Sequence, residues 1–154
     1  MKKFILIIAV MAASYCAMAQ TKTAPDKETT VIYLQTSGES EKLFGNFGAF
    51  LMDNGFQIDR SDPGFSTIVT TPKNLAAHPK WSHSWFMNIR IKNNRVTIRP
   101  YLLANIEIEL YGVRSSNAPI EWKYAKNEGN VQNMIYQEIR CLLMKFPDSI
   151  VTFN

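Results

Sequence analysis

The chain has 154 residues, 46% of them hydrophobic, a length that suits one domain with enough core to fold without staples. Its formal charge is +4, but the basic residues are spread along the chain and no run of five or six like charges occurs. That distribution argues against a nucleic-acid partner.

Lys2 and Lys3 precede an uncharged apolar run from Phe4 to Ala13, and Ala17-Met18-Ala19 follows with the small-x-small pattern of a cleavage site. The sequence therefore predicts an exported precursor, 1–19 being a signal peptide cut after Ala19 and the product going to the periplasm or outside the cell. The apolar run is shorter than the roughly 20 residues that a membrane-crossing helix needs. The alternative is a lipoprotein acylated at Cys16, although Tyr15 stands where a lipobox has a small residue. Cleavage removes Lys2, Lys3 and Cys16, leaving 15 basic against 13 acidic side chains and Cys141 as the lone thiol. No internal disulfide is then possible, and Cys141 reads as a small, half-buried hydrophobe on a helix flank.

Residues 20–29 are polar, contain Pro25 and read as a flexible leader to a single domain over 30–154. Thr30 to Leu34 is β-branched and aromatic, which predicts a first strand. Thr36 and Glu39 have the spacing of a capping box, and Leu43, Phe44, Phe47, Phe50 and Leu51 then share one helical face. Gly45 and Gly48 inside that helix predict a close approach by the sheet, and Asn54-Gly55 ends it as a Schellman cap with Phe56 folding back on Leu51. Phe56–Asp59 and Phe65–Thr71 read as strands around an Asp62-Pro63-Gly64 turn, the second stopped by Pro72.

The clearest pattern follows. Trp85, Met87, Ile89 and Ile91 alternate with polar neighbours, and Asn93-Asn94 suits a two-residue type I′ turn. That turn sets Ile91 opposite Val96, Ile89 opposite Ile98, Trp85 opposite Leu102 and Phe86 opposite Tyr101, keeping the apolar face in register. Ile106–Val113 reads as another strand, Arg114–Glu128 as a polar loop, and Asn130–Phe146 as an amphipathic helix closed by Pro147. Ile150 to Phe153 suits a short extended tail.

This order predicts an α+β two-layer sandwich, a curved antiparallel sheet packed against two helices as β-α-β-β-β-β-β-α. A first strand, a helix closed by Asp53-Asn54-Gly55-Phe56, hairpin strands and a final helix resemble, over about residues 30–146, the TBP-like fold of small exported bacterial domains of unknown function. The resemblance implies a fold and a compartment. It brings no functional residues, and DNA binding does not follow from it.

Motifs for a serine elbow, a phosphate-binding loop, a dinucleotide fold or a zinc helix are missing from the sequence. His78 and His83 lack a third nearby ligand, so no metal or other cofactor is expected. Glu107 and Glu109 share the expected wet sheet face with Arg90, Thr97 and Arg99; they suit either carboxylate catalysis or cross-strand ion pairs. Trp81, Phe86, Tyr101, Tyr111, Trp122 and Tyr124 fall on loops or outward strand positions, which suits a partner surface, or, for Trp81, Trp122 and Tyr124, a satellite core. The leading expectation is a non-enzymatic module that binds a protein or glycan of the bacterial envelope. An envelope hydrolase or hydrolase inhibitor centred on Glu107 and Glu109 is the second reading, and a structural module is the third. Neither the ligand nor the oligomeric state is legible in these residues.

Overall fold

The computed structural model describes residues 25–37, 40–75, 83–104 and 118–153. The elements within them are β1 (Ile32–Thr36), α1 (Ser40–Asp53), β2 (Ile58–Asp62), β3 (Thr67–Thr70), β4 (Lys73–Asn74), β5 (His83–Lys92), β6 (Arg95–Ala104), β7 (Ile120–Glu121), α2 (Val131–Leu143) and β8 (Ser149–Phe153). Eight antiparallel strands form one open sheet in the order β2-β3-β5-β6-β1-β8. β4 joins β5 beyond the end of β3, and β7 joins β6 beyond the end of β1.

The β5–β6 hairpin is the spine of this sheet. Asn93 and Asn94 take φ of 49° and 57°, the left-handed values that a type I′ turn requires and that asparagine tolerates. Ile91 pairs with Val96, Ile89 with Ile98, Trp85 with Leu102 and Phe86 with Tyr101, as the alternation predicts. Trp85, Met87, Ile89, Ile91, Val96 and Ile98 are buried on one face and meet both helices in a single core cluster. α1 contributes Leu43, Phe47 and Leu51, and α2 contributes Ile135, Ile139, Leu142 and Leu143. Phe146 packs edge-on against Phe47 and Phe50 at 5.3 and 4.9 Å, tying the end of α2 to α1. Tyr136 of α2 joins the same core, and burial, opposed by Arg140 and reinforced by Tyr124, holds its phenol above the usual 10.0.

Several local expectations meet a different outcome. Thr36 ends β1 instead of capping α1: its N–H and hydroxyl donate to the Asn94 carbonyl at 2.9 and 3.2 Å. The tertiary contact with the turn takes the hydroxyl that a cap would need. Residues 25–29 of the expected leader are held in place, because Thr29 N–H donates to Asp26 O and the Thr29 carbonyl accepts from Tyr124 N–H at 2.9 Å. Cys141 is exposed rather than half-buried, since it lies off the stripe of Ile139, Leu142 and Leu143. α2 stops at Leu143, before Pro147, and Asp148 at φ 48° turns the chain into β8, which pairs with β1 along its whole length. The expected strand Ile106–Val113 and the signal peptide lie outside the described residues. No helix among the described residues is long and apolar enough to cross a membrane.

The Schellman cap forms as read: Gly55 takes φ 81°, with Phe56 N–H donating to Leu51 O and Gly55 N–H to Met52 O, both at 3.0 Å. Of the two interior glycines, only Gly48 faces the sheet, where an added methyl would sit 3.7 Å from Ile68 and 3.8 Å from Ile58. Gly45 is exposed, with nothing within 4 Å of such a methyl, so the sheet does not explain it. Gly45→Ala should therefore stabilise the protein by about 0.5–1 kcal/mol through helix propensity alone. Chemical denaturation of the two proteins checks this, with an unchanged or lowered midpoint opposing it.

Candidate functional site

With both helices on one side, no described element covers the other face of the sheet. One row of side chains crosses it through six strands, set by the pairing Asp62–Thr67–Arg90–Thr97–Tyr33–Thr152. Each stands on this face because strand side chains alternate and its neighbours Ile32, Leu34, Ile68, Ile89, Ile91, Val96 and Ile98 are committed to the core. Asn88 and Arg99 are paired in the next row, and Lys92 and Arg95 in the row on the other side.

The face is shallow but not flat. Tyr33, Phe65, Thr67, Asn88, Arg90, Thr97 and Arg99 line an open depression of about 580 Å³. A second of about 500 Å³, lined by Gln35, Lys92, Asn93 and Arg95, shares Arg90 and Thr97 with it, so the two adjoin along the hairpin. Arg99 reaches Glu121 of β7 at 3.8 Å, and both are half-exposed. Arg95 donates to the Gln35 side-chain carbonyl at 3.5 Å and lies 5.3 Å above the Tyr33 ring. Arg90 and Lys92 make no hydrogen bond or ion pair among the described residues. A guanidinium set between two threonines, with no counter-charge among the described residues, can take up an anion bidentately, in the geometry that suits carboxylate or phosphate.

Among the residues expected to bind, Arg90, Arg99, Phe86 and Tyr101 share this face. Phe86 and Tyr101 stack at 5.3 Å with 15° between their planes. Trp122 and Tyr124 do not join them. Trp122 follows β7, donates its backbone N–H to Pro100 O, and turns its indole inward to 0% exposure, where Nε1 donates to Gln132 O at 2.7 Å. Tyr124 packs on Tyr136 at 5.0 Å. Trp122 thus anchors α2 to the sheet as a member of the main core cluster, and Tyr124 packs half-buried against that cluster. Trp81, Glu107, Glu109 and Tyr111 lie outside the described residues, as does His78; His83 begins β5 opposite Ala104.

Tyr33, Phe65, Thr67, Asn88 and Arg95 were not legible as site residues. Tyr33 does stand between Ile32 and Leu34, so its outward direction could be read, but its neighbours could not, since nothing local says that β1 docks on β6. Phe65 sits in the turn after β2, where Asp62 Oδ1 accepts its N–H at 3.1 Å and leaves the ring 76% exposed.

Trp122→Ala should cost about 3–5 kcal/mol of stability, the penalty for emptying a large core site. Trp122→Phe, which keeps most of the ring but loses the bond to Gln132, should cost about 1 kcal/mol for the bond plus a small cavity term. Urea denaturation separates the two. If Trp122→Ala were neutral, the loop would not be the anchor described.

A scan against protein-family models and a search of curated proteins both gave no match, so the chemistry of this face has to be taken from its own side chains.

Proposed function

We propose that the protein is a non-enzymatic binding module of the bacterial envelope, exported and cleaved after Ala19, that holds a protein or glycan on the solvated face of its sheet. A TBP-like relation between sheet and helices belongs to the same reading. Arg90 at the centre of the depression, unpaired among the described residues, carries it, set between Thr67 and Thr97 and flanked by Tyr33 and Arg99. Around it stand hydroxyls, an amide, a phenol and a second guanidinium, groups that orient and hold a ligand. Neither a thiol nor an imidazole is among the residues lining the two depressions. The opposite face is occupied by helices, so a partner of any size meets the sheet here or at its edges.

The test is a thermal-shift panel of cell-wall fragments, glycans and purified envelope proteins. A ligand at about a hundred times its dissociation constant adds roughly 2.7 kcal/mol, enough to move the midpoint visibly. The shift should disappear in Arg90→Ala and persist in Met144→Ser, which alters an exposed residue at the end of α2. A ligand whose shift survives Arg90→Ala together with Tyr33→Ala, yet is lost in Met144→Ser, would place binding elsewhere and sink the reading.

A further inference from the structure

The composition of the depression narrows the partner further. Among the described residues, Arg60, Arg90, Lys92, Arg95 and Arg99 stand on the solvated face, against Asp62 and Glu121. Both carboxylates are engaged: Asp62 accepts the Phe65 N–H and Glu121 lies against Arg99. The surplus among the described residues is cationic, and an anionic partner is complementary to it. The rings narrow the choice again. Tyr33 lies under Arg95, and Phe86 and Tyr101 stack on each other, so among the described residues Phe65 is the ring with the freest face. A strand of stacked bases would want several open rings in succession. A sugar needs one ring for its apolar face, hydroxyl and amide partners for its own hydroxyls, and a cation for its acid group. Phe65, then Thr67, Thr97 and Asn88, then Arg90 supply these within one depression.

We propose that the Arg90 depression is a subsite for one acidic sugar residue, and that the adjoining Lys92–Arg95 depression receives the next acidic residue of the same glycan. This rests on the sheet-face reading and adds the ligand class to it. The acid group bridges Arg90 and Arg99, the sugar ring lies against Phe65, and its hydroxyls bond to Thr67, Thr97 and Asn88. Two acid groups per ligand make binding salt-sensitive, because charges on an open face are screened over about 10 Å at 0.1 M salt.

The test is calorimetric titration of the intact protein with a four-residue hexuronate oligomer and with the same oligomer methyl-esterified at every carboxyl. Tetraglutamate and a short single-stranded oligonucleotide serve as competing polyanions. The free-acid oligomer should bind, and the ester should bind at least about tenfold more weakly, as should the free acid to Arg90→Gln. Phe65→Ser should weaken the oligomer and leave any residual tetraglutamate binding unchanged. Arg90 and Phe65 are both exposed, and the thermal midpoint of each variant confirms that it folds. Equal binding of acid and ester would overturn the proposal, as would no binding of either. Tighter binding of tetraglutamate or of the oligonucleotide would also overturn it. In those cases, envelope-ligand shifts that still vanish in Arg90→Ala would leave the sheet face as the binding surface, with another ligand class.

Discussion

Asn93 and Asn94 carry a constraint on which both faces of the sheet depend. Because each accepts a positive φ, the loop has two residues, and ten successive pairs from Lys92–Arg95 to His83–Ala104 fall into register. A slip of one residue would turn Trp85, Met87, Ile89 and Ile91 to water and bring Arg90 and Lys92 into the core. The same turn recruits β1, since the Asn94 carbonyl accepts from Thr36 N–H, Thr36 Oγ1 and Gln35 Nε2. β8 then follows on β1. Core, solvated face and half of the sheet order all follow from one reversal of the chain.

The remaining order comes from pegs that close gaps around that spine. Trp122 is driven in behind β6 by the pairing of β7 and is held by its bond to Gln132, which places the start of α2. The Asn130 side chain accepts the Gln132 N–H and caps the helix there. On the other flank Lys73 reaches Glu138 at 3.4 Å and lies over the Phe56 ring at 4.7 Å, joining β4 to α2 and to the end of α1. With the helices fixed on one face, no described element covers the opposite face.

Among the described residues, that face concentrates charge that the chain as a whole does not show. The totals are 17 basic and 13 acidic residues. Alternation nonetheless sorts Arg90, Lys92, Arg95 and Arg99 to one side of a single hairpin, and β2 brings Arg60 to the same side. Repulsion among them costs little in water, and Glu121, Gln35 and the Tyr33 ring take up part of it. A ligand that neutralises the rest would find the cations already oriented.

The sequence by itself determined what is local. The hairpin register, the Schellman cap at Gly55, the buried stripes of both helices and the outward direction of Arg90, Arg99, Phe86 and Tyr101 all follow from a turn dipeptide or a short period. Tertiary structure alone decided which strands became neighbours. It brought Tyr33 beside Thr97, took the Thr36 hydroxyl away from the helix, left Gly45 without a sheet above it and turned Trp122 inward. Strand alternation reports which face a residue takes but is blind to the strand beside it, because pairing between distant segments is set by how the core closes. The candidate site is made of such pairings, so its cations could be read one by one in the sequence, while their gathering around Arg90 could not.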